Sequence, residues 1–429
     1  MGGLTEYTGS LVVGKTSGAQ TCVAAQRSRE SELTVDLSAA VALDGQPPTV
    51  IPTNTLRDSS GSWVTAERWL QGGGADQSMT VHVVVGAVVE LLRAAGVSSL
   101  EGGLSVAVGS TTQVTAGTGR EAALVSATLL AVSAALDRPV DAHSSIALCQ
   151  RVLNEWLGRP VGIGDGACVI LGEAGALMQW RGDVAAPIDT LALPESLTVI
   201  GIDCGLVHPE ADLKYARVRT ASFMGRALID RIVKHDGGGN PQWDGHLARV
   251  SVPDYVERFR DRIPTKLKGS EFLDRFGETG DPLTRIEPSF VYKIRSRTEH
   301  QIYEHARACA FVECLARAVR NRDEQALHDA GALMYASHWS YGQRCGLGSV
   351  ATDALVRLIR EHAVEAGVYG AKISAGGCGG AVVVLMRAGA RESAALDAVM
   401  EQYRSETGNA PVLCSGSQPG ALISGVQRV

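Results

Sequence analysis

The sequence predicts a protein of mixed helices and strands, and three observations carry that expectation. Short apolar runs such as Leu104 to Val108 and Leu197 to Asp203 have the length of strands. Longer stretches, such as Ile302 to Val319 and Thr352 to Gly367, space their apolar residues as helices do. Glycine-bearing turns punctuate the chain, at 116–121, 158–166 and 376–380.

Composition narrows the class. The 429 residues are enough for two or three domains, each with a sizeable core. Apolar residues make up 45% and charged residues 20%, the balance of a globular chain rather than a disordered one. The net charge of −6 is spread in both signs, without the basic stripe that a nucleic-acid binder needs. No apolar run reaches the roughly 18 residues of a membrane span. The N-terminus lacks a basic region followed by an apolar core, so no signal peptide is expected. Glu6 stands where a myristoylation site has Ser or Thr, which argues against a lipid anchor. The nine cysteines show no CxxC pair and no zinc-ligand spacing. They read as reduced core residues of a cytoplasmic protein, among them Cys149, Cys168, Cys204, Cys309 and Cys314. Cys378, inside a glycine loop, is the one to watch for reactivity.

Taken in order, Met1 to Ser10 reads as a turn ahead of the apolar run Leu11 to Val13, an abrupt opening that looks clipped. Strand-like pieces follow at 21–25 and 33–35, then a loop at 43–62, rich in Pro, Ser, Thr and Asp. Gln77 to Ala95 carries apolar residues on several helical faces and reads as a buried helix, its valines leaving a strand open. After the strand Leu104 to Val108 come Gly117-Thr118-Gly119-Arg120-Glu121 and an Ala-rich helix at 122–136. Asp141 is placed to cap the next helix, which runs to about Leu157. Asp165 is then a lone acid in a glycine-flanked loop, just before an expected strand at Ala167 to Leu171. Beyond the strand Leu197 to Asp203 lies a long helix with Tyr215, Arg217, Arg219 and Arg226. His235 to Pro241 marks an insertion, and 250–300 is charged and less regular. Helices are expected at 302–319, 325–337 and 352–367. Two strand-like runs within 369–386 flank the third glycine loop, and a helix at 393–407 and a strand at 411–414 close the chain.

Two chemistries stand out. A strand, a Gly-x-Gly turn and a helix start can hold an anion, because first-turn N–H groups lack partners and the helix dipole favours negative charge. The same pattern also makes a plain tight connection. An acid such as Asp165, held rigidly between two elements, suits a general base, although Asp-Gly is more often an ordinary turn. The loop of Gly376, Gly377, Gly379 and Gly380 lets backbone close on a phosphate or on another strand, and equally serves a plain hairpin.

These motifs together resemble the GHMP sugar kinases, galactokinase and its relatives, nearly end to end and toward the plant-type L-arabinokinase branch. Gly370 to Gly380 resembles the family's third motif, G-A-K-x-T/S-G-x-G-x-G-G, the most specific match. Met1 to Ser10 resembles the end of the first motif, Gly162 to Asp165 the segment with the catalytic aspartate, and Val199 to Gly205 with Tyr215 and Arg219 a further segment. Phe223 to Arg226, His338 to Gly348 and Gly416 to Gly420 continue the likeness. Two departures count. The family's P-G-R, which carries an arginine for phosphoryl transfer, falls ahead of Met1. The serine run of the second motif, one member of which helps hold Mg2+, is replaced by Gly119, Arg120 and Glu121.

The resemblance implies an α/β (α+β) GHMP-kinase two-domain fold, with a ribosomal-S5-like domain over 1–208, clipped at its start, and a ferredoxin-like domain over 209–429 with an insertion near 236–298. It implies ATP and Mg2+ as cofactors, a small-molecule sugar as substrate, and neither nucleic acid nor membrane as partner. The expected reaction is phosphorylation of L-arabinose or galactose at the anomeric hydroxyl. Asp165 is the expected catalytic base. Glu6, Tyr7, Gly162, Asp165, Tyr215, Gly376 and Gly377 are expected to bind sugar. Gly117, Thr118, Gly119, Arg120 and Glu121 are expected to bind ATP, with Glu121 also the candidate metal ligand. The departures keep a non-catalytic sugar- or nucleotide-binding relative open, and a heptose or isoprenoid-acid kinase is the third alternative.

Overall fold

The computed structural model describes residues 1–40, 47–111, 117–182, 189–206, 210–237 and 243–428. The chain forms two compact units. The larger comprises Met1–Lys15, Thr115–Gly117 and Gly175–Ser415; the smaller comprises Thr16–Val114, Thr118–Ala174 and Gly416–Val429.

The smaller unit is built on a four-stranded sheet in the order Thr21–Ser28, Gly103–Ser110, Glu32–Ala40, Thr49–Pro52. The central pair, Glu32–Ala40 with Gly103–Ser110, is parallel and the outer pairings are antiparallel. Leu33, Val35 and Leu37 alternate along one strand, and Leu104, Val106 and Val108 along its neighbour, so one face of each is apolar. They share a core with the helices Met79–Ala94, Arg120–Ala135 and Ala142–Arg151. Met79–Ala94 is buried on almost every side, as its apolar faces required. Ser78 starts it by accepting a hydrogen bond from the Val81 N–H, which settles helix over strand. Asp141 caps Ala142–Arg151 as expected, accepting from the Ser144 N–H.

The larger unit holds a four-stranded antiparallel sheet in the order Val368–Ile373, Ala381–Arg387, Leu197–Asp203, Val412–Cys414. Both faces are covered. Val382, Val384 and Met386 pack with Leu355, Ile359, Leu396 and Val399 from Val350–His362 and Ala390–Thr407. Leu385 packs with Phe311, Leu315 and Met334 from Ile294–Asn321 and Glu324–Ser340, and Val383 lies against the same cluster. Burial on both faces is why the run at 381–386 is continuously apolar instead of alternating. Gly331 and Gly370 let helix backbone touch strand backbone: a Cβ on Gly370 would lie 2.4 Å from the Gly331 Cα. A three-stranded sheet, Leu11–Gly14, Ala176–Arg181 and Asp189–Ala192, also belongs to this unit, as does a short antiparallel pair, Leu267–Lys268 with Val291–Tyr292.

Several expectations need correction. Residues 164–171 form the helix Gly164–Leu171, so Asp165 stands in a helical first turn and not in a loop before a strand. An apolar run of this length fits either element, and here Ala167 and Ile170, one helical turn apart, are the buried pair. The expected loop at 43–62 contains the strand Thr49–Pro52, which pairs with Glu32–Ala40. The helix expected from Ile302 begins at Ile294, inside the stretch read as irregular. The strands Ala176–Arg181 and Asp189–Ala192 were not anticipated. Part of the glycine-rich break at 235–241 lies outside the described residues. No helix among the described residues is long and apolar enough to cross a membrane.

Candidate active site

In the smaller unit, the helix Arg120–Ala135 begins two residues ahead of the expected start at Ala122. Gly119 is its N-cap, at φ 71°, a left-handed conformation that suits glycine, and no side chain caps the first-turn N–H groups. The dipole of this 16-residue helix favours an anion there. Next to it, the Thr118 Oγ1 is buried without a hydrogen-bond partner among the described residues. A buried hydroxyl left this way is costly, typically about 1–3 kcal/mol, unless a ligand atom meets it. Arg120 and Glu121 are half-buried in the first turn. Glu121 pairs with Arg159, Oε1 to the guanidinium at 3.2 Å.

Asp165 opens the helix Gly164–Leu171 of the same unit. A Cβ placed on Gly119 would lie 3.9 Å from the Asp165 carboxyl carbon, so the N-cap and the acid stand within van der Waals reach of each other. Solvent reaches Asp165, but the protein packed around its carboxyl limits hydration of the charge. That loss of hydration, and then the negative charge of Glu121, push its pKa above the ordinary aspartate value. Gly162 is half-buried in the connection ahead of Asp165. Cys149 packs beneath this helix, its Sγ 3.2 Å from where a Gly166 Cβ would stand, and burial pushes its thiol up to about 12.

Among the described residues no cluster of three or more His, Cys, Asp or Glu is arranged to hold a metal. The donor chemistry present still fits Mg2+. That ion binds through one or two carboxylates together with substrate phosphates, and Asp165 and Glu121 supply two interacting carboxylates beside the orphaned Thr118 hydroxyl. A cation would relieve the repulsion that raises Asp165.

The larger unit gathers the other candidates. Gly3–Thr8 is a tight helical turn with left-handed glycines at both ends. It buries Glu6, whose Oε1 accepts a hydrogen bond from the Trp180 indole at 3.0 Å. The Tyr7 ring meets the Tyr215 ring edge-on at 6.1 Å and stacks near Phe223 at 5.9 Å. The loop between the two strands comes close to this cluster: a Cβ on Gly376 would lie 3.1 Å from the Tyr215 ring, and one on Gly377 would lie 2.8 Å from Leu347. So Glu6, Tyr7, Tyr215, Gly376 and Gly377 belong to one neighbourhood, while Gly162 and Asp165 belong to the smaller unit. Gly117, at the edge of the glycine turn, counts with the larger unit. Cys378 is buried and its thiol is pushed up to about 11, so its expected reactivity is not supported. Cys168, Cys309 and Cys314 are only half-buried, unlike Cys149 and Cys204. A separate groove of about 610 Å³, lined by Tyr335, His338, Trp339 and Arg357, holds no candidate residue.

Sequence reading missed the supports of this neighbourhood. The Tyr341 hydroxyl accepts from the Leu4 N–H at 3.0 Å and donates to the Ala375 carbonyl at 3.1 Å, tying the Glu6 turn to the glycine loop. Behind it, the fully buried Glu304 accepts from Ser337 Oγ at 2.6 Å, from the Gly2 N–H at 3.3 Å and from Arg307 Nε at 2.8 Å. Burial alone would raise Glu304, but Arg307 and Lys372 outweigh it and hold its pKa at about 2. Lys372 lies over the Tyr341 ring at 4.5 Å, and burial pushes it down to about 8 against the pull of Glu304. The available signal was Lys372 itself, a lysine inside an apolar strand.

Comparison with known proteins agrees with this layout. Residues 82–173 match the GHMP kinases N terminal domain and residues 315–405 the GHMP kinases C terminal. The two matches fall in order, so the chain carries the N- and C-terminal domains described for the GHMP kinases. Within that class its relatives are sugar kinases. It is 28% identical to the L-arabinokinase of Arabidopsis thaliana, over all of this chain but 46% of that protein. It is 27% identical to a galactokinase of Mycobacterium bovis, over 69% of this chain and 68% of the other. The chain thus spans less than half the length of the first of these relatives. The fold is that of a Lactococcus lactis galactokinase solved with galactose, at a TM-score of 0.68 and 17% identity, covering 97% of this chain and 90% of the other. A Methanococcus jannaschii mevalonate kinase superposes at 0.57 and 11% identity, over 97% and 95% of the two chains.

Proposed function

We propose that this chain phosphorylates a monosaccharide, L-arabinose or galactose, at its anomeric hydroxyl at the expense of ATP. The observation that carries the reading is the Asp165 carboxylate at a helix start, raised in pKa by its surroundings and by Glu121, together with the Thr118 hydroxyl, buried without a partner among the described residues. In this reaction the anomeric oxygen bonds to the γ-phosphorus, the bond from that phosphorus to the bridging oxygen breaks, and ADP leaves. The hydroxyl's proton goes to Asp165, whose raised pKa brings its basicity toward that task. The N–H groups after Gly119 and the Thr118 hydroxyl hold phosphate oxygens, with Gly117 and Arg120 beside them. Glu121 would hold Mg2+, which supplies charge neutralisation for the phosphates when bound. Glu6, oriented by Trp180, accepts sugar hydroxyls. Tyr7 and Tyr215 give the sugar an aromatic wall, and Gly162, Gly376 and Gly377 leave it room.

The two family matches fall on either side of a boundary at 208/209, which supports 1–208 and 209–429 as the N- and C-terminal kinase domains. Cysteines without disulfides support a cytoplasmic setting. Sugar-dependent ADP release with Mg2+, over a panel including L-arabinose, galactose, a heptose and mevalonate, tests the reading. Turnover with one of the first two sugars supports it. Turnover only with the last two, or sugar binding without turnover, overturns it.

A further inference from the structure

The insertion after residue 236 reaches the aromatic wall through a buried ion pair. Arg219, on the helix Ala211–His235, grips Asp281 of the insertion with two hydrogen bonds, Nε to Oδ2 at 2.9 Å and NH2 to Oδ1 at 2.8 Å. Both side chains are buried, 6% and 0% exposed. Asp281 is itself fixed, accepting from Thr284 Oγ1 at 2.5 Å and from the Leu283 N–H at 3.2 Å. The guanidinium held this way lies over the Tyr7 ring at 4.7 Å and the Phe223 ring at 5.1 Å. Tyr7 meets Tyr215 and follows Glu6 directly. The insertion therefore sets the plane of Arg219, and Arg219 backs the tyrosine that borders the candidate sugar residues.

We propose that Asp281 is a positioning residue for sugar recognition, and that the segment around it sets how much room the Tyr7–Tyr215 wall leaves for the sugar. The inference rests on Tyr7 and Tyr215 being sugar contacts. A planar guanidinium pinned by two hydrogen bonds keeps one orientation, which a single bond does not enforce. Aldopentose and hexose of the same ring stereochemistry differ by one hydroxymethyl group. A fixed wall separates them by shape, and a wall free to move back does not. A second pair, Arg217 with Glu287 at 2.8 and 2.7 Å, anchors the same insertion at a more exposed place. Its arginine stacks on Phe290, not on Tyr7. It serves as the control for anchoring alone.

The test compares Asp281→Asn and Arg219→Lys with Glu287→Gln, using calorimetric binding of L-arabinose and of galactose, kinetics with each sugar, and thermal melting. The expected result for Asp281→Asn is a KM for sugar at least 10-fold higher, an unchanged KM for ATP, and a ratio of kcat/KM between the two sugars that moves toward one. Glu287→Gln leaves that ratio where it was. Should Asp281→Asn fail to fold, Arg219→Lys keeps the charge, loses the fork and gives the same readout. An unchanged ratio in whichever variant folds, or an equal change in Glu287→Gln, overturns the inference alone. A wild-type chain that binds neither sugar by calorimetry overturns it together with the functional reading on which it rests.

Discussion

In the smaller unit the candidate residues sit at the starts of two helices, and their chemistry is local: Thr118, Gly119, Arg120 and Glu121 are consecutive, and Asp165 opens the other helix. In the larger unit the candidate residues come from remote parts of the chain and are held by buried polar pairs. Leu4 and Tyr341 are 337 residues apart, and Arg219 and Asp281 are 62 apart. The first arrangement leaves groups open among the described residues: a hydroxyl without a partner, first-turn N–H groups without a side-chain cap, and the Asp165 carboxylate raised in pKa by lost hydration and by the charge of Glu121. The second ties Glu6, Tyr341, Glu304 and Asp281 into hydrogen bonds across the chain, although the Arg307 Nη2 stays buried without a partner among the described residues. A region that must accept phosphate and a cation gains from standing partners short. A region that must recognise a polyol by shape gains from side chains that cannot move. Breaking the first should therefore cost activity and spare stability, and breaking the second should do the reverse or both.

The largest effect is expected from Asp165→Asn. Turnover should fall by roughly 10²–10⁴-fold, the usual contribution of a general base. Sugar affinity measured by calorimetry should change little. The melting temperature should rise, because the repulsion with Glu121 is gone. A variant that keeps its turnover removes Asp165 from the role.

Next comes Glu304→Gln, the counterpart in the larger unit. It strands Arg307 and Lys372 around a neutral group and should cost about 3–5 kcal/mol in denaturant unfolding, the usual penalty for breaking a buried ion pair. Wild-type stability should also respond to acid at this residue. The folded pKa of Glu304, about 2, lies below the ordinary glutamate value. Its contribution is therefore complete above that ordinary value and is lost as pH falls through about 2. A Gln variant as stable as wild type at neutral pH would show that the larger unit does not depend on this network.

Glu121→Gln sharpens the comparison from the other side. With one negative charge removed, Asp165 should titrate lower in the metal-free protein, as followed by an NMR pH titration of its carboxyl. A carboxyl that titrates where it did, or higher, contradicts the coupling. The smallest effect is expected for Thr118→Val. The orphaned hydroxyl disappears, which should stabilise the free protein by up to about 1–3 kcal/mol, while KM for ATP rises several-fold and KM for sugar is unchanged. A destabilised variant would mean that the hydroxyl has a partner within the protein.

What the sequence disclosed follows the same division. The glycine turn at 117–121 and the cap at Asp141 were legible because each signal lies within a few residues. Asp165 was legible as an acid but not as part of a helix, since Gly164–Leu171 is a short apolar run whose period is ambiguous. The third glycine loop showed its two strands because burial on both faces made them continuously apolar. Asp281 gave no signal at all: it is one acid in a charged stretch, and its importance comes from an arginine on another helix. Tyr341 and Glu304 were hidden for the same reason.

The most direct test of the central claim is ADP release by this chain with Mg2+ in the presence and absence of L-arabinose and of galactose, run beside Asp165→Asn. The account predicts release that depends on one of these sugars and is lost in the variant, while the variant still binds the sugar. Release independent of sugar, or equal in both proteins, would contradict it.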